Sequence, residues 1–210
     1  DLSGDSISNT TNTRDQFFGT VGIFRRNNCG FQYGFAADFL SDEYYDDVDL
    51  AQYRAEISLV DPCGHEIGFF SAFSGETDQV TVPTTNGSTI PIPTTATFEP
   101  FNQYALFYRY SLCNGGSWRI YGGATNGGDG LVGGDFRLPI SCRWAIAGGF
   151  GYVIPEEGDQ LAISREAWGM GINLEWFPGC VKGTGKCSWL RPLFNVADNS
   201  TFMVDRKNDQ

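Results

Sequence analysis

Lysine is nearly missing from this 210-residue chain: Lys182, Lys186 and Lys207 are the only three, and all lie beyond residue 177. The body of the chain therefore lacks the residue that a soluble β-domain normally spends on its solvent face. Histidine is reduced to His65. A Ser-His-Asp triad or a multi-histidine metal site has little to build from, and His65 itself stands in a Gly-rich turn. No Cys-x-x-Cys occurs, which excludes a zinc ribbon or a thioredoxin-type motif. No apolar run approaches the roughly 20 residues of a membrane helix. The 14 basic and 25 acidic side chains leave a formal net charge of −11. Phosphate contacts need a basic face, so a general nucleic-acid binder is excluded.

Glycine and aromatic residues are plentiful: 27 Gly and 15% aromatics. Glycine weakens helices and aromatics favour strands, so the composition points to β-structure. The period agrees. From Ala167 to Phe177, Trp168, Met170, Ile172, Leu174 and Trp176 alternate with Ala167, Gly169, Gly171, Asn173 and Glu175. That is a strand with one apolar face and one small or polar face. The same alternation runs through Phe31–Leu40, Ala51–Val60, Gln103–Leu112, Val132–Ile140 and Arg143–Ile154. It is weaker in Phe17–Arg25, Glu66–Ser74 and Trp118–Asn126. Nine strands are predicted, and no segment keeps a helical period for three turns.

The connections alternate in length. Those after strands one, three, five and seven are short; those after two, four and eight (Ser41–Leu50, Gly75–Pro100 and Pro155–Arg165) are longer. In an up-and-down meander this gathers the short turns at one end and the long loops at the other. Cys29, Cys63, Cys113, Cys142, Cys180 and Cys187 all fall at the short-turn end. Six cysteines suit disulfides in an oxidising compartment, and the flexible loop between Cys180 and Cys187 predicts a bond between those two. Val80–Thr97, rich in Thr, Pro and Val, reads as a loop or a small hairpin leaning over the mouth.

The two faces decide the environment. A soluble barrel keeps its apolar side inside, whereas a membrane barrel turns it outward between aromatic girdles. Here Tyr104, Tyr110, Trp144, Tyr152, Trp168 and Trp176 rim the apolar face, the expected lipid-facing girdle. The other face carries Gly and Ala with Arg54, Glu56, Arg109, Arg119, Asp135, Arg137, Arg143 and Glu175, the expected lumen lining. Arginine and carboxylate can neutralise each other in a narrow lumen. An arginine excess there would turn any conductance towards anions. The expected fold is all-β: an antiparallel up-and-down meander forming a transmembrane β-barrel, closed or incomplete. The competing arrangement is a soluble barrel or sandwich whose second face another sheet covers.

Residues 1–16 read as a polar N-terminal segment, 17–177 as the meander and 178–210 as a tail with the Cys180/Cys187 loop. The tail is expected on the periplasmic side, with Pro192–Val196 docking on the barrel. The chain opens on Asp1 with no leader, the start expected of a processed chain or one cut from a longer one. Nine strands are an odd number, whereas such barrels usually have an even one. Closure therefore calls for an odd number of further strands, from upstream, a second copy or a partner chain. The acidic run Asp42–Asp49 departs from EF-hand spacing and reads as a solvated loop. Lumen carboxylates read as partners of arginine rather than an acid–base pair, and no nucleophile–base pair marks an enzyme. No catalytic residue, cofactor or metal is expected.

Tyr44-Tyr45-Asp46-Asp47-Val48-Asp49-Leu50-Ala51-Gln52-Tyr53-Arg54, and again Pro192-Leu193-Phe194-Asn195-Val196-Ala197-Asp198-Asn199-Ser200-Thr201-Phe202-Met203-Val204-Asp205, resemble a family of uncharacterised outer-membrane-type β-barrel proteins from planctomycete bacteria. The resemblance covers most of the chain. It implies a bacterial outer-membrane location, membrane lipid as the surrounding partner, and further Gly/aromatic strands ahead of this segment. It supplies no catalytic residues.

Overall fold

A computed structural model describes residues 15–27, 29–43, 47–84, 92–155, 167–177, 180 and 202–209. Nine strands form one antiparallel sheet curled into a half-barrel. They are β1 (Asp15–Arg25), β2 (Gly30–Glu43), β3 (Asp47–Val60), β4 (His65–Glu76), β7 (Gln103–Ser111), β8 (Ser117–Thr125), β9 (Gly130–Pro139), β10 (Trp144–Ile154) and β11 (Ala167–Trp176). Each pairs with its neighbour in chain order, except that β4 pairs directly with β7. Between those two, β5 (Asp78–Thr84) and β6 (Ile92–Pro100) form a hairpin. The last strand, β12 (Val204–Asp209), joins that hairpin along β6 to make a three-stranded second sheet.

The nine-stranded meander is the one the alternation predicts, and the register keeps each face continuous apart from one shift between β3 and β4 at Ala51/Gln52. Trp144 stands opposite Trp176, and Tyr152 opposite Trp168. Arg119 stands opposite Asp135. Because side-chain period is two, a one-residue slip anywhere would exchange the two faces, so this register is strongly specified. The short turns gather at one end as expected. Between β7 and β8, Leu112 N–H donates to Gly116 O at 2.8 Å. Gly115 there has φ 91°, a left-handed conformation that suits glycine. Cys29, Cys63, Cys113, Cys142 and Cys180 all lie at this end.

Three expectations need correction. Cys180 is bonded to Cys142, in the turn between β9 and β10, and not to Cys187, which lies outside the described residues. The chain leaves β11 beside that turn, where Phe177 N–H donates to Arg143 O at 2.9 Å, which places Cys180 within reach of Cys142. Arg143 is exposed in the same turn and does not line the interior, because β10 begins one residue later. Within the long connection Gly75–Pro100, β5 and β6 form the small hairpin that was one of the two expected readings of Val80–Thr97. The end of the tail does not stay at the short-turn rim, since β12 pairs with β6 at the opposite, long-loop end. Pro192–Val196 lies outside the described residues, as does residue 1–14 of the expected N-terminal segment.

Among the described strands, β1 and β11 are the free edges of the sheet. Both run from the long-loop end to the short-turn end, as the first and ninth strands of a meander must. Antiparallel closure between them needs an odd number of intervening strands.

Candidate functional site

The concave face is layered along the strands. Nearer the short turns lies a belt of charge. Arg109 on β7 donates from Nη1 and Nη2 to the two oxygens of Glu56 on β3, at 2.9 and 3.1 Å. The same Nη1 reaches Glu66 on β4 at 2.8 Å. Glu66 also accepts from Gln32 Nε2 at 2.7 Å and from Ser58 Oγ at 2.8 Å. Arg119 Nε donates to Asp135 at 2.5 Å, and its Nη1 reaches Glu56 at 3.4 Å. Arg137 grips both oxygens of Glu175, at 2.6 and 3.0 Å, across β10. Towards β1, Arg54 pairs with Asp38, which also accepts from Thr20 Oγ1.

These groups are buried: Glu56 and Glu66 keep 1% of their surface and Arg109 6%. A buried charge is tolerated when its remaining hydrogen-bonding positions are also filled, which the glutamine and serine partners help to do here. Arg26, half-buried in the turn after β1, faces the same cluster. Burial draws its guanidinium below the usual value, with Glu66 opposing.

Arg54, Glu56, Arg109, Arg119, Asp135, Arg137 and Glu175 thus converge as expected, with Glu175 the most accessible of them. Glu66 and Arg26 were missed, and Asp38, although the alternation of Phe31–Leu40 puts it on the small or polar face, was not counted in the lumen lining. Glu66 shares the strand parity of Gly68, so alternation could have found it too; Arg26, in a turn, had no such signal. With Arg143 outside, Arg26, Arg54, Arg109, Arg119 and Arg137 meet Asp38, Glu56, Glu66, Asp135 and Glu175. The arginine excess that would favour anions is gone.

Above the belt, towards the long loops, the same face is apolar. Phe70, Phe101, Ala105, Phe107, Tyr121, Leu131, Val153 and Met203 form one buried cluster. Arginines stack across the seam: the Arg109 guanidinium lies 4.8 Å from the Phe107 ring centre, and that of Arg119 lies 5.3 Å from the ring centre of Phe70. Each guanidinium binds carboxylate in its plane and presents its face to an aromatic ring. The face is therefore not uniformly small and polar.

The convex face is the inverse. Ile23, Leu106 and Ile172 are 76%, 66% and 72% exposed. Trp144 and Trp176 stand near the short turns, with Trp168 and Tyr152 near the long loops; the three tryptophans are exposed and Tyr152 is half-buried. Tyr104 packs on Phe73 with ring centres 5.7 Å apart, and Tyr110 on His65 at 4.8 Å. His65 Nδ1 lies 2.6 Å from Tyr108 Oη, so this histidine belongs to the outer aromatic rim. Among the described residues no three His, Cys, Asp or Glu side chains are placed to hold a metal ion. No described helix is long and apolar enough to cross a membrane, which says nothing about crossing with strands.

Fold and site together define an open antiparallel β-meander turned inside out, with ion pairs and a small apolar layer within and a broad apolar surface without. The chain belongs to a protein family of unknown function, DUF6666, whose model matches residues 1–204. No curated protein and no solved structure matches it.

Proposed function

We propose that the protein is a β-barrel of the bacterial outer membrane with a structural, non-enzymatic role, its interior sealed rather than conducting. The observation that carries this reading is the inversion of the two faces. Burying Glu56, Glu66 and Arg109 while Ile23, Leu106 and Ile172 stay exposed is unfavourable in water, because apolar area exposed to water costs about 25 cal/mol per Å². It is favourable when the outer face meets lipid. The strands of the large sheet are 9 to 14 residues long, which supports a tilted bilayer crossing of about 9–11 residues. Trp144 and Tyr152 lie eight residues apart on β10. That is roughly 26 Å along the strand, and about 20 Å after a tilt of ~40°. This is close to the apolar band of about 25 Å between aromatic girdles. Buried, balanced charge beneath an apolar layer supports a sealed interior.

Membrane lipid is then the main partner, and an odd number of strands from another segment, a second copy or a partner chain completes the barrel. The free edges of β1 and β11 also support a second reading, an extracellular binding or assembly module whose convex face packs on other chains. Removal of detergent from purified protein separates the two. A membrane barrel aggregates or enters added lipid vesicles; a protein that stays dispersed in detergent-free buffer sinks the first reading. In planar bilayers the sealed barrel carries no steady current, and a steady current would refute the seal.

A further inference from the structure

The charged belt and the apolar layer share one face, yet the half-barrel is open along β1 and β11. Something must cover the apolar layer, and part of the cover comes from the far end of the chain. Met203 is buried among Phe70, Phe107, Leu131 and Val153, which β4, β7, β9 and β10 present to the concave side. Its carbonyl accepts from Phe101 N–H at 2.9 Å. The neighbouring Phe202 meets Phe18 on β1 edge-to-face, with ring centres 5.5 Å apart. Phe18 has the strand parity of Thr20, whose hydroxyl binds Asp38 within the trough. Phe202 therefore reaches β1 while the next side chain, Met203, enters the apolar cluster. Beyond them, β12 adds to β6 in antiparallel register from Val204–Pro100 to Asp209–Thr95.

We propose that Phe202–Asp209 is a detachable cap, seated in a groove that the free edge of β6 and the apolar layer form at the long-loop mouth. The segment is remote in sequence from its seat, since β12 follows β6 by more than 100 residues. Its hold combines a strand ladder with one inserted apolar anchor. This is the way an extended peptide adds to a sheet edge, main-chain bonds giving affinity and a pocketed side chain giving register. Without the cap, β6 regains a free edge and the cluster around Ala105 loses the Met203 side chain. The seat is then a site for an extended strand carrying an apolar residue. The inference holds whether the convex face meets lipid or protein, so it stands or falls separately from the membrane reading.

The test is the reactivity of a cysteine placed at Ala105, which is 1% exposed in the cluster. Ala105→Cys protein is treated with a maleimide, and labelling is read peptide by peptide, so that exposed Cys29 serves as the internal standard. In the full chain the new thiol labels at least tenfold more slowly than Cys29. Truncation after Thr201, or Met203→Asp in the full chain, raises its rate at least tenfold, while the Cys142–Cys180 peptide and the β-sheet circular dichroism persist. A synthetic peptide of residues 201–210 added to the truncated protein restores slow labelling in a saturable way, and a scrambled peptide does not. Unchanged labelling in a folded truncated protein, or no protection by the peptide, overturns the proposal. So does failure of both altered proteins to fold, because the segment would then be part of the core rather than a cap.

Discussion

Arg109 and Glu56 face each other across the interior as a two-pronged pair, Nη1 to Oε1 at 2.9 Å and Nη2 to Oε2 at 3.1 Å. They lie on β7 and β3, with β4 between them, so the pair ties strands that share no backbone ladder. Removing one partner strands a buried charge, which typically costs about 3–5 kcal/mol, whereas replacing both with apolar groups of similar volume can be nearly neutral. Arg109→Met is therefore expected to lose about 3–5 kcal/mol. The further change Glu56→Met recovers only part of it, because Glu66 and Arg119 lose partners too. Urea unfolding midpoints of the two single variants and the double variant, in the same detergent, check this.

Glycine on the concave side has a different meaning at the centre and at the edge. A Cβ at Gly68 would sit 2.5 Å from Ile57 O and 2.6 Å from the Phe107 ring, whereas one at Gly171 meets nothing within 4 Å. Gly68→Ala should overpack the interior and cost about 1–3 kcal/mol. Gly171→Ala should leave stability unchanged or slightly raised, since it removes freedom only from the unfolded chain. Equal losses in the two variants, measured by the same unfolding assay, would show that β11 is packed as tightly as β4.

The cysteine pairing makes a covalent prediction. Non-reducing peptide mapping should recover Cys142 joined to Cys180, with a separation of 38 residues. By chain entropy such a loop contributes up to about 4 kcal/mol. Cys142→Ser should lower the unfolding midpoint accordingly, while Cys187→Ser leaves the Cys142–Cys180 bond in place. A recovered Cys180–Cys187 peptide would contradict this pairing.

Alternation made the nine-stranded meander and both faces legible, because side chains along each strand turn alternately to the buried and the exposed side. Where that condition fails, the pattern falls silent. The hairpin of β5 and β6 pairs Thr81 with Thr95 and Pro83 with Pro93, so no apolar stripe marks it. β12 reads Val-Asp-Arg-Lys-Asn-Asp and is specified by its ladder to β6, which sequence period cannot show. β2 and β3 run on to Glu43 and Asp47, past the predicted ends at Leu40 and Ala51, because carboxylates interrupt the alternation but not the ladder. Phe70, Phe107 and Tyr121 were hidden in another way. Each shares parity with small or polar residues, and only their assembly with Met203 reveals an apolar layer. Arg143 shows the converse: its parity was right for the interior, but parity has no meaning outside a strand.

The environment of the convex face is open to a single substitution. Ile172 lies in the middle of β11, four residues from each of Trp168 and Trp176, and is 72% exposed. In water an exposed Ile172→Arg should change stability by no more than about 0.5 kcal/mol, the usual range for a surface site. At the midplane of a bilayer the same arginine costs about 2–4 kcal/mol. Asn173→Arg, one residue on, turns to the concave side and serves as the control, because it adds the same charge without touching lipid. On the membrane reading Ile172→Arg loses about 2–4 kcal/mol when folded into lipid vesicles and Asn173→Arg loses clearly less. Equal small changes in both would mean that the apolar surface faces water or protein, and the outer-membrane assignment would fall with it.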